Sequence, residues 1–507
     1  MKQSAPFVFT TLGSLLALCA ACAPENTPGG TGGSGPVGGT TSTGGTTGTD
    51  GAAGTGGSTL PPHVCDEPTP WTLPTTSGVV GTGTGASCTY SALSAAVTAG
   101  GSITFNCGTA PVTIAVTSAI TVNKDTVVDG GGLVTLDGGG NNQIFLVASN
   151  RSLSVRNLTL VNGKAPAVSD APGIGGAVLG NWRSKVEVIG CTFKNNTAGR
   201  GGGAVGVWTG SSLTIVSSRF SGNSSWYGGA VYTLYSPLQI INCEFTNNST
   251  LLLSSGSTDG GAIATDGATT DGTTVANNGT IQICGTQIRN NNANGTGAAA
   301  NIWMYPPDQT IIDRTTVEGN TSTGFAGAMR ISNGALTIKA SSFLSNTSVS
   351  NGGGFYLDCS PTCTITNSTI YGNQDTQGWG GAIFSNSGQI SLNNVTLASN
   401  RYQTTGNANW GGATWTFNNT IFYNNGCATR GTGAHVLESG SSSTCLTGAI
   451  SGDPKLGTPA DNGGPTYTML PGSGSAALGA GANCEATDQR GQPRNTAVCD
   501  LGAVEVP

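Results

Sequence analysis

The chain has 507 residues, 82 of them glycine, and only 9% carry charge, 19 basic against 25 acidic, where an average globular protein has about 25%. It has no Gly-X-Y period and 36% of its residues are hydrophobic, so it is neither collagenous nor wholly disordered, and part of it folds. A net charge of −6 with no basic cluster leaves nothing to neutralise a phosphate backbone and argues against nucleic acid as a partner.

Residues 1–22 begin with Lys2, continue through an apolar run from Pro6 to Leu18, and end in small residues and Cys22, the layout of a secretory signal. The run is shorter than the roughly 20 residues needed to span a bilayer. Leu18-Cys19-Ala20-Ala21-Cys22 resembles a bacterial lipoprotein cleavage box, which implies Cys22 as a lipidated N-terminus and membrane contact only through that lipid. Cys19 stands where that box usually has Leu or Val, and plain cleavage near Ala21 to Ala23 with full secretion is the alternative. Residues 23–62 are mostly Gly, Thr and Ser. Such a stretch cannot bury enough apolar surface to offset chain entropy, and reads as a disordered tether.

Residues 63–150 read as an N-terminal cap together with the first rungs of a repeat stack. Tyr90, Leu93 and Val97 fall on one helical face, ahead of a strand-like Ile103-Thr104-Phe105.

Across residues 151–440 an eleven-residue pattern returns about every 25 to 43 positions. Copies include Leu153 to Gly163, Val186 to Asn196, Leu213 to Asn223, Leu238 to Asn248, Ile281 to Asn291, Leu336 to Asn346 and Ile390 to Asn400. In most copies the first and third residues are aliphatic and the eighth is apolar, as in Phe193, Phe220, Phe245 and Phe343. That alternation predicts two short strands meeting at a corner. Between copies falls Gly-Gly-Ala plus an aliphatic, as in Gly202 to Val205, Gly228 to Val231, Gly260 to Ile263 and Gly380 to Ile383, which supplies a third strand. Units too short to bury their own apolar faces are stable only when stacked. The expected fold is all-β: a right-handed single-stranded parallel β-helix, or solenoid, of about ten rungs. Stacking also accounts for the missing charge, because like ions about 4.8 Å apart repel, whereas Asn, Thr and Ser ladders hydrogen-bond.

The Gly-Gly-Ala-aliphatic and Phe-x-x-Asn elements resemble the repeats of polymorphic outer-membrane proteins and the wider group of right-handed parallel β-helix surface proteins, over roughly Gly175 to Asn425. The resemblance implies a cell-surface location, at the outer membrane or secreted. The segment around Cys88 to Gly108 is similar to the leading cap of bacterial β-helix proteins. Residues 441–507, with Asp453-Pro454, Asn462-Gly463-Gly464-Pro465 and Asp488-Gln489-Arg490-Gly491, are similar to the closing choice-of-anchor segment of such proteins. They depart from it at Leu478-Gly479-Ala480-Gly481, where the family more often has an acid.

Export makes disulfides the expected state of the cysteines after Cys22. Sequence alone leaves connectivity open. The pairings favoured by local loop closure are Cys88–Cys107, Cys359–Cys363, Cys427–Cys445 and Cys484–Cys499. Cys191 and Cys243 share a register two rungs apart, roughly 9–10 Å and beyond bridging reach, and read as unpaired apolar fillers. The histidines, His63 in the tether and His435 near the last turn, form no zinc spacing, and His435 reads as a solvated turn residue.

Following the third strand outward places Trp208, Tyr232, Asp266, Arg330, Tyr356, Asp358, Phe384 and Asn386 on its exposed face. Asp266, Arg330 and Asp358 are the catalytic candidates, with a solvent-facing salt bridge the preferred reading of Arg330 and Asp358. The adjacent Asp-Asp and the Gly-His-Gly of polygalacturonases are absent. Asp259, Asp266 and Asp271 could offer weak calcium ligation, though Asp-Gly turns explain them as well; no other cofactor is indicated. Tyr227, Phe325, Trp379 and Trp410 precede a Gly-Gly-Ala or its variant and are expected in one column along the stack. With Trp208, Tyr232, Tyr356 and Phe384 they form a candidate carbohydrate-binding set, or an aromatic lid on the core. Three readings result: an adhesin-like or glycan-binding rod, monomeric and meeting an extracellular polysaccharide or a host or neighbour-cell glycan; a polysaccharide lyase or glycoside hydrolase; and a passive spacer.

Overall fold

Each repeat copy closes one turn of a coil, and the turns lie on one another in parallel register. The structure, a computed structural model, describes residues 64–73, 77–166, 173–252, 258–268, 278–403, 405–441 and 443–507. The signal, Cys22, the tether and His63 lie outside the described residues, as does Asp271.

The stack is a parallel β-solenoid of about 12 turns, slightly more than the ten or so counted from the repeats. The extra turns come from residues 101–147, whose third strands, Ile120–Val122 and Phe145–Val147, lack the Gly-Gly-Ala signature. The first strand of each turn pairs with its counterparts above and below, as in Leu153, Val186, Leu213, Leu238 and Ile281. The second strand does the same through Phe193, Phe220, Phe245 and Ile288. The third runs through Val178, Val205, Val231, Ile263, Ala300, Met329, Phe355 and Ile383. Among the described strands one pairing is antiparallel, Arg401 opposite Gly406 and Tyr402 opposite Thr405.

The stack turns repetition into order inside the coil. The Phe193, Phe220 and Phe245 rings are fully buried and stack at 4.7 Å, within 5° of parallel, which is the spacing that strand pairing imposes. The asparagine closing each copy is also buried. Asn196, Asn223, Asn248, Asn291, Asn320, Asn346, Asn373 and Asn400 each pass an Nδ2 hydrogen to the Oδ1 of the next, at 2.9–3.0 Å, and the ladder ends on Asn425. The second Nδ2 hydrogen of most goes to a carbonyl of the turn before, such as Phe193 O from Asn223. A neutral amide both donates and accepts, so it can repeat at this spacing, whereas a carboxylate could not.

The corner between first and second strands takes one residue at positive φ in almost every turn, among them Ser217, Asn242, Arg314, Asn367 and Asn419. Asn tolerates that conformation better than most residues, which is why it recurs here.

A helix covers the N-terminal end. The helix Tyr90–Ala99 starts at Thr89, whose Oγ1 accepts from the Ala92 amide at 3.2 Å, and buries Leu93 and Val97 against the first turns. Its neighbour Cys88 bridges to Cys107.

The four local disulfides form with the expected pairings, and Cys191 and Cys243 are free and buried. A fifth bridge, Cys65–Cys284, has no counterpart among those expectations. It clips residues 64–71 along the corner of the stack. Arg314 donates to Val64 O, Asn242 to Cys65 O at 2.9 Å, and Arg156 to Trp71 O, while the Trp71 amide donates to Glu187.

The C-terminal segment continues the same strap rather than only closing the last turn. Thr466 donates to Ala340 O, Gln489 to Ser341 O, Asn367 to Thr487 O and Asn419 to Ala482 O. The two straps thus follow one corner, the first from Arg156 to Arg314 and the second from Ala340 to Asn419. None of these hydrogen bonds reaches the third strands.

Candidate functional site

The third strands form the face that the straps leave open, and their alternation decides what it presents. Val231, Ile263, Met329, Phe355 and Ile383 point inward and are fully buried. Their successors point outward. One outward column runs Tyr232, Ala264, Asn301, Arg330, Tyr356, Phe384 and Trp410. The next runs Leu234, Asp266, Trp303, Ser332 and Asp358. The loops entering these strands add Tyr227, Asp259 and Thr296 in a third column, which Phe325 and Trp379 continue through backbone bonds to Gly297 and Gly352.

Trp410 departs from its expected place. It does not join the column of Tyr227, Phe325 and Trp379 but pairs with Phe384. The reason is a shift in which residues build the strand. Ala408 and Asn409 take the inward end of that turn and are buried, so Gly411-Gly412-Ala413 falls after the strand instead of opening it. The shift brings Trp410 against Trp379, with ring centroids 4.3 Å apart and planes 25° apart. Tyr402 completes the cluster at 5.0 Å from Trp379 and 6.4 Å from Trp410. Trp379 remains 42% exposed.

Tyr232, Tyr356 and Phe384 also differ from expectation. They face outward yet are only 7%, 9% and 7% exposed, because rings repeated at strand spacing cover one another. Tyr227 lies over Tyr232 at 6.3 Å, and Tyr356 sits between Phe325 at 5.3 Å and Phe384 at 5.1 Å. At the other end of the face Trp208 stacks with Trp182 at 6.4 Å and 15°, Trp182 being 56% exposed, and Arg200 lies 5.9 Å from the Trp208 ring.

The catalytic candidates share a face without forming one centre. Asp266 and Asp358 stand in one column three turns apart, with Trp303 and Ser332 between them. That is roughly 14 Å by strand spacing, beyond the ~5–9.5 Å of a glycosidase carboxylate pair. Burial raises the pKa of Asp266, opposed by the hydrogen bond from Tyr305 Oη at 2.9 Å and by Arg200. Burial likewise raises that of Asp358, opposed by the Asn386 amide, Arg330 and the Tyr356 hydroxyl. Asn386 also donates from Nδ2 to Tyr356 Oη at 2.7 Å.

Arg330 and Asp358 stand on neighbouring turns but not opposite each other; Tyr356 is the residue in register with Arg330. The guanidinium lies between two rings, 5.2 Å from the centroid of Trp303 and 5.4 Å from that of Tyr356, a cation–π sandwich.

Among the described residues, the group of three potential metal ligands is Cys65, Cys284 and Asp313, and two of its sulfurs are joined in a disulfide. His435 is exposed, with Nδ1 3.0 Å from Ala480 O.

Trp182, Trp303 and Tyr402 escaped the sequence reading. Trp303 follows Gly297-Ala298-Ala299-Ala300, a degenerate copy of the signature, and aligning it by register would have exposed the residue. Trp182 lies in a turn and Tyr402 in a two-residue strand, neither marked by the repeat.

The Chlamydia polymorphic membrane protein repeat matches residues 242–266, the span from corner Asn242 through ladder Asn248 to the outward Asp266. The chain therefore carries a repeat of that kind on a parallel β-solenoid. No curated protein matches it. A solved structure, "a new PL6 alginate lyase complex with trisaccharide", is similar at 12% identity and a TM-score of 0.44, covering 76% of this chain and 88% of that one. At that score the likeness carries no argument about chemistry.

Proposed function

We propose that this protein is a surface-displayed rod that binds glycan along its third-strand face, without cleaving it. The observation that carries this reading is the Trp379, Tyr402 and Trp410 cluster. Aromatic faces offered to solvent stack on the apolar faces of sugar rings, and neighbouring amides and hydroxyls supply the hydrogen bonds. A second aromatic pair, Trp182 and Trp208, lies several turns away and suits an extended polymer rather than a single sugar. Binding is favoured over catalysis by the wide separation of Asp266 and Asp358.

The repeat of the polymorphic membrane protein type supports display at a cell surface, with Cys22 as the lipid attachment point and residues 23–62 as the tether. The partner is an extracellular polysaccharide or a glycan of a neighbouring or host cell. Incubation of the purified protein with a polysaccharide panel, with and without chelator, tests both halves of the proposal. Retention without product release supports it; release of oligosaccharide turns the reading toward an enzyme, and no retention removes it.

A further inference from the structure

We infer that Arg330 seats an acidic substituent, a carboxylate or a sulfate, of the glycan bound on the third-strand face. The inference rests on the glycan-binding reading and adds the chemical class of the ligand.

Arg330 differs from the six arginines held in ion pairs with a carboxylate. Arg156, Arg219, Arg289, Arg314, Arg490 and Arg494 each lie within 3.4 Å of a carboxylate oxygen. Among the described residues no carboxylate forms such a pair with Arg330. Asp358, whose carboxyl feels the Arg330 charge without pairing with it, accepts instead from the Asn386 amide at Oδ1, 3.3 Å, and from the Tyr356 hydroxyl. Arg330 Nε is buried without a hydrogen-bond partner.

Trp303 on the turn before and Tyr356 on the turn after flank the guanidinium, with ring centroids 5.2 and 5.4 Å from Cζ, which narrows its freedom before any ligand arrives. A cation held this way, part exposed next to the column that carries Asp266 and Asp358, has donors left for a planar or tetrahedral oxyanion. Its position also suits a polymer. Arg330 stands between the Trp182–Trp208 pair and the Trp379–Trp410 pair, where the middle of a bound chain would cross.

The test compares affinity electrophoresis in gels containing neutral dextran, dextran sulfate or polygalacturonate, for wild type, Arg330→Gln and Arg330→Lys, with melting temperature as the folding control. Wild type is expected to bind one or both acidic polymers more tightly than dextran. Arg330→Gln is expected to lose about tenfold or more of the acidic-polymer affinity and none of the affinity for dextran, with Arg330→Lys between. The two acidic gels separate sulfate from carboxylate recognition.

Should Arg330→Gln fail to fold, salt titration of the wild type decides the question: added NaCl must weaken acidic-polymer binding and leave dextran binding unchanged. Equal affinity of the wild type for neutral and acidic polymers, or an Arg330→Gln variant indistinguishable from it, overturns the inference and leaves the glycan reading standing. Failure to bind any polymer overturns both.

Discussion

Cys65 and Cys284 are bridged across 219 residues of sequence, with Cα atoms 6.1 Å apart. The bridge ties residues 64–71 to the corner of the stack, where the strap otherwise depends on a few hydrogen bonds such as Asn242 Nδ2 to Cys65 O. Replacing Cys284 with Ser is expected to cost about 2–5 kcal/mol. It should also make the chain near Trp71 the first site of limited proteolysis. Digestion followed by mass spectrometry checks this, and the contacts of residues 466–489 should stay protected.

The asparagine ladder gives a second test. Asn291 accepts from the backbone and side-chain amides of Asn248 and donates to Asn320. Replacing it with Ala leaves buried donors and acceptors without partners, and each such loss costs about 1–3 kcal/mol. Urea denaturation should therefore show Asn291→Ala less stable than wild type by about 2–3 kcal/mol or more. Asn425→Ala, at the ladder's end, should cost less.

Asp375 predicts a dependence on pH. It occupies the inward place held by Ser348 one turn before and is fully buried. Its Oδ1 accepts from the amides of Gln377 and Gly378, the loop leading to Trp379, while Oδ2 is buried without a partner. Burial outweighs those hydrogen bonds and pushes its pKa up to about 6. The folded-state pKa lies above the unfolded value, so this group's contribution is fully present below about 4 and is lost as pH rises through about 6. Melting curves between about pH 4 and 8 should show the wild type losing on the order of 1–3 kcal/mol relative to Asp375→Asn, with the loss accumulating between about pH 4 and 6 and levelling off above.

The interior offers the plainest stability test. Phe220 is fully buried between Phe193 and Phe245, so Phe220→Ala opens a cavity in a rigid stack and should cost about 3–5 kcal/mol. Chemical denaturation measures it.

Much of this architecture was legible because repetition writes itself into sequence. The phenylalanines, the closing asparagines and Gly-Gly-Ala appear at equivalent places, and the same residues stack in space. Outward alternation along the third strand is enough to put Asp266, Arg330 and Asp358 in its outward columns. What escaped lacks a period. The strap around Cys65 joins residues far apart through side chains that no repeat marks. Trp410 was misplaced because its Gly-Gly-Ala looks like the others while the strand register slips there. Burial of Tyr232, Tyr356 and Phe384 depends on rings from neighbouring turns covering one another, which alternation along a single strand does not encode.

Glycan binding through the Trp379 and Trp410 rings is the central claim, and mobility in polysaccharide-containing native gels tests it most directly. Wild type should be retarded by at least one polymer, and the Trp379→Ala, Trp410→Ala double variant should migrate there as in a blank gel while still unfolding in one cooperative transition, at a somewhat lower temperature. A double variant that folds and is retarded as strongly as the wild type would contradict it.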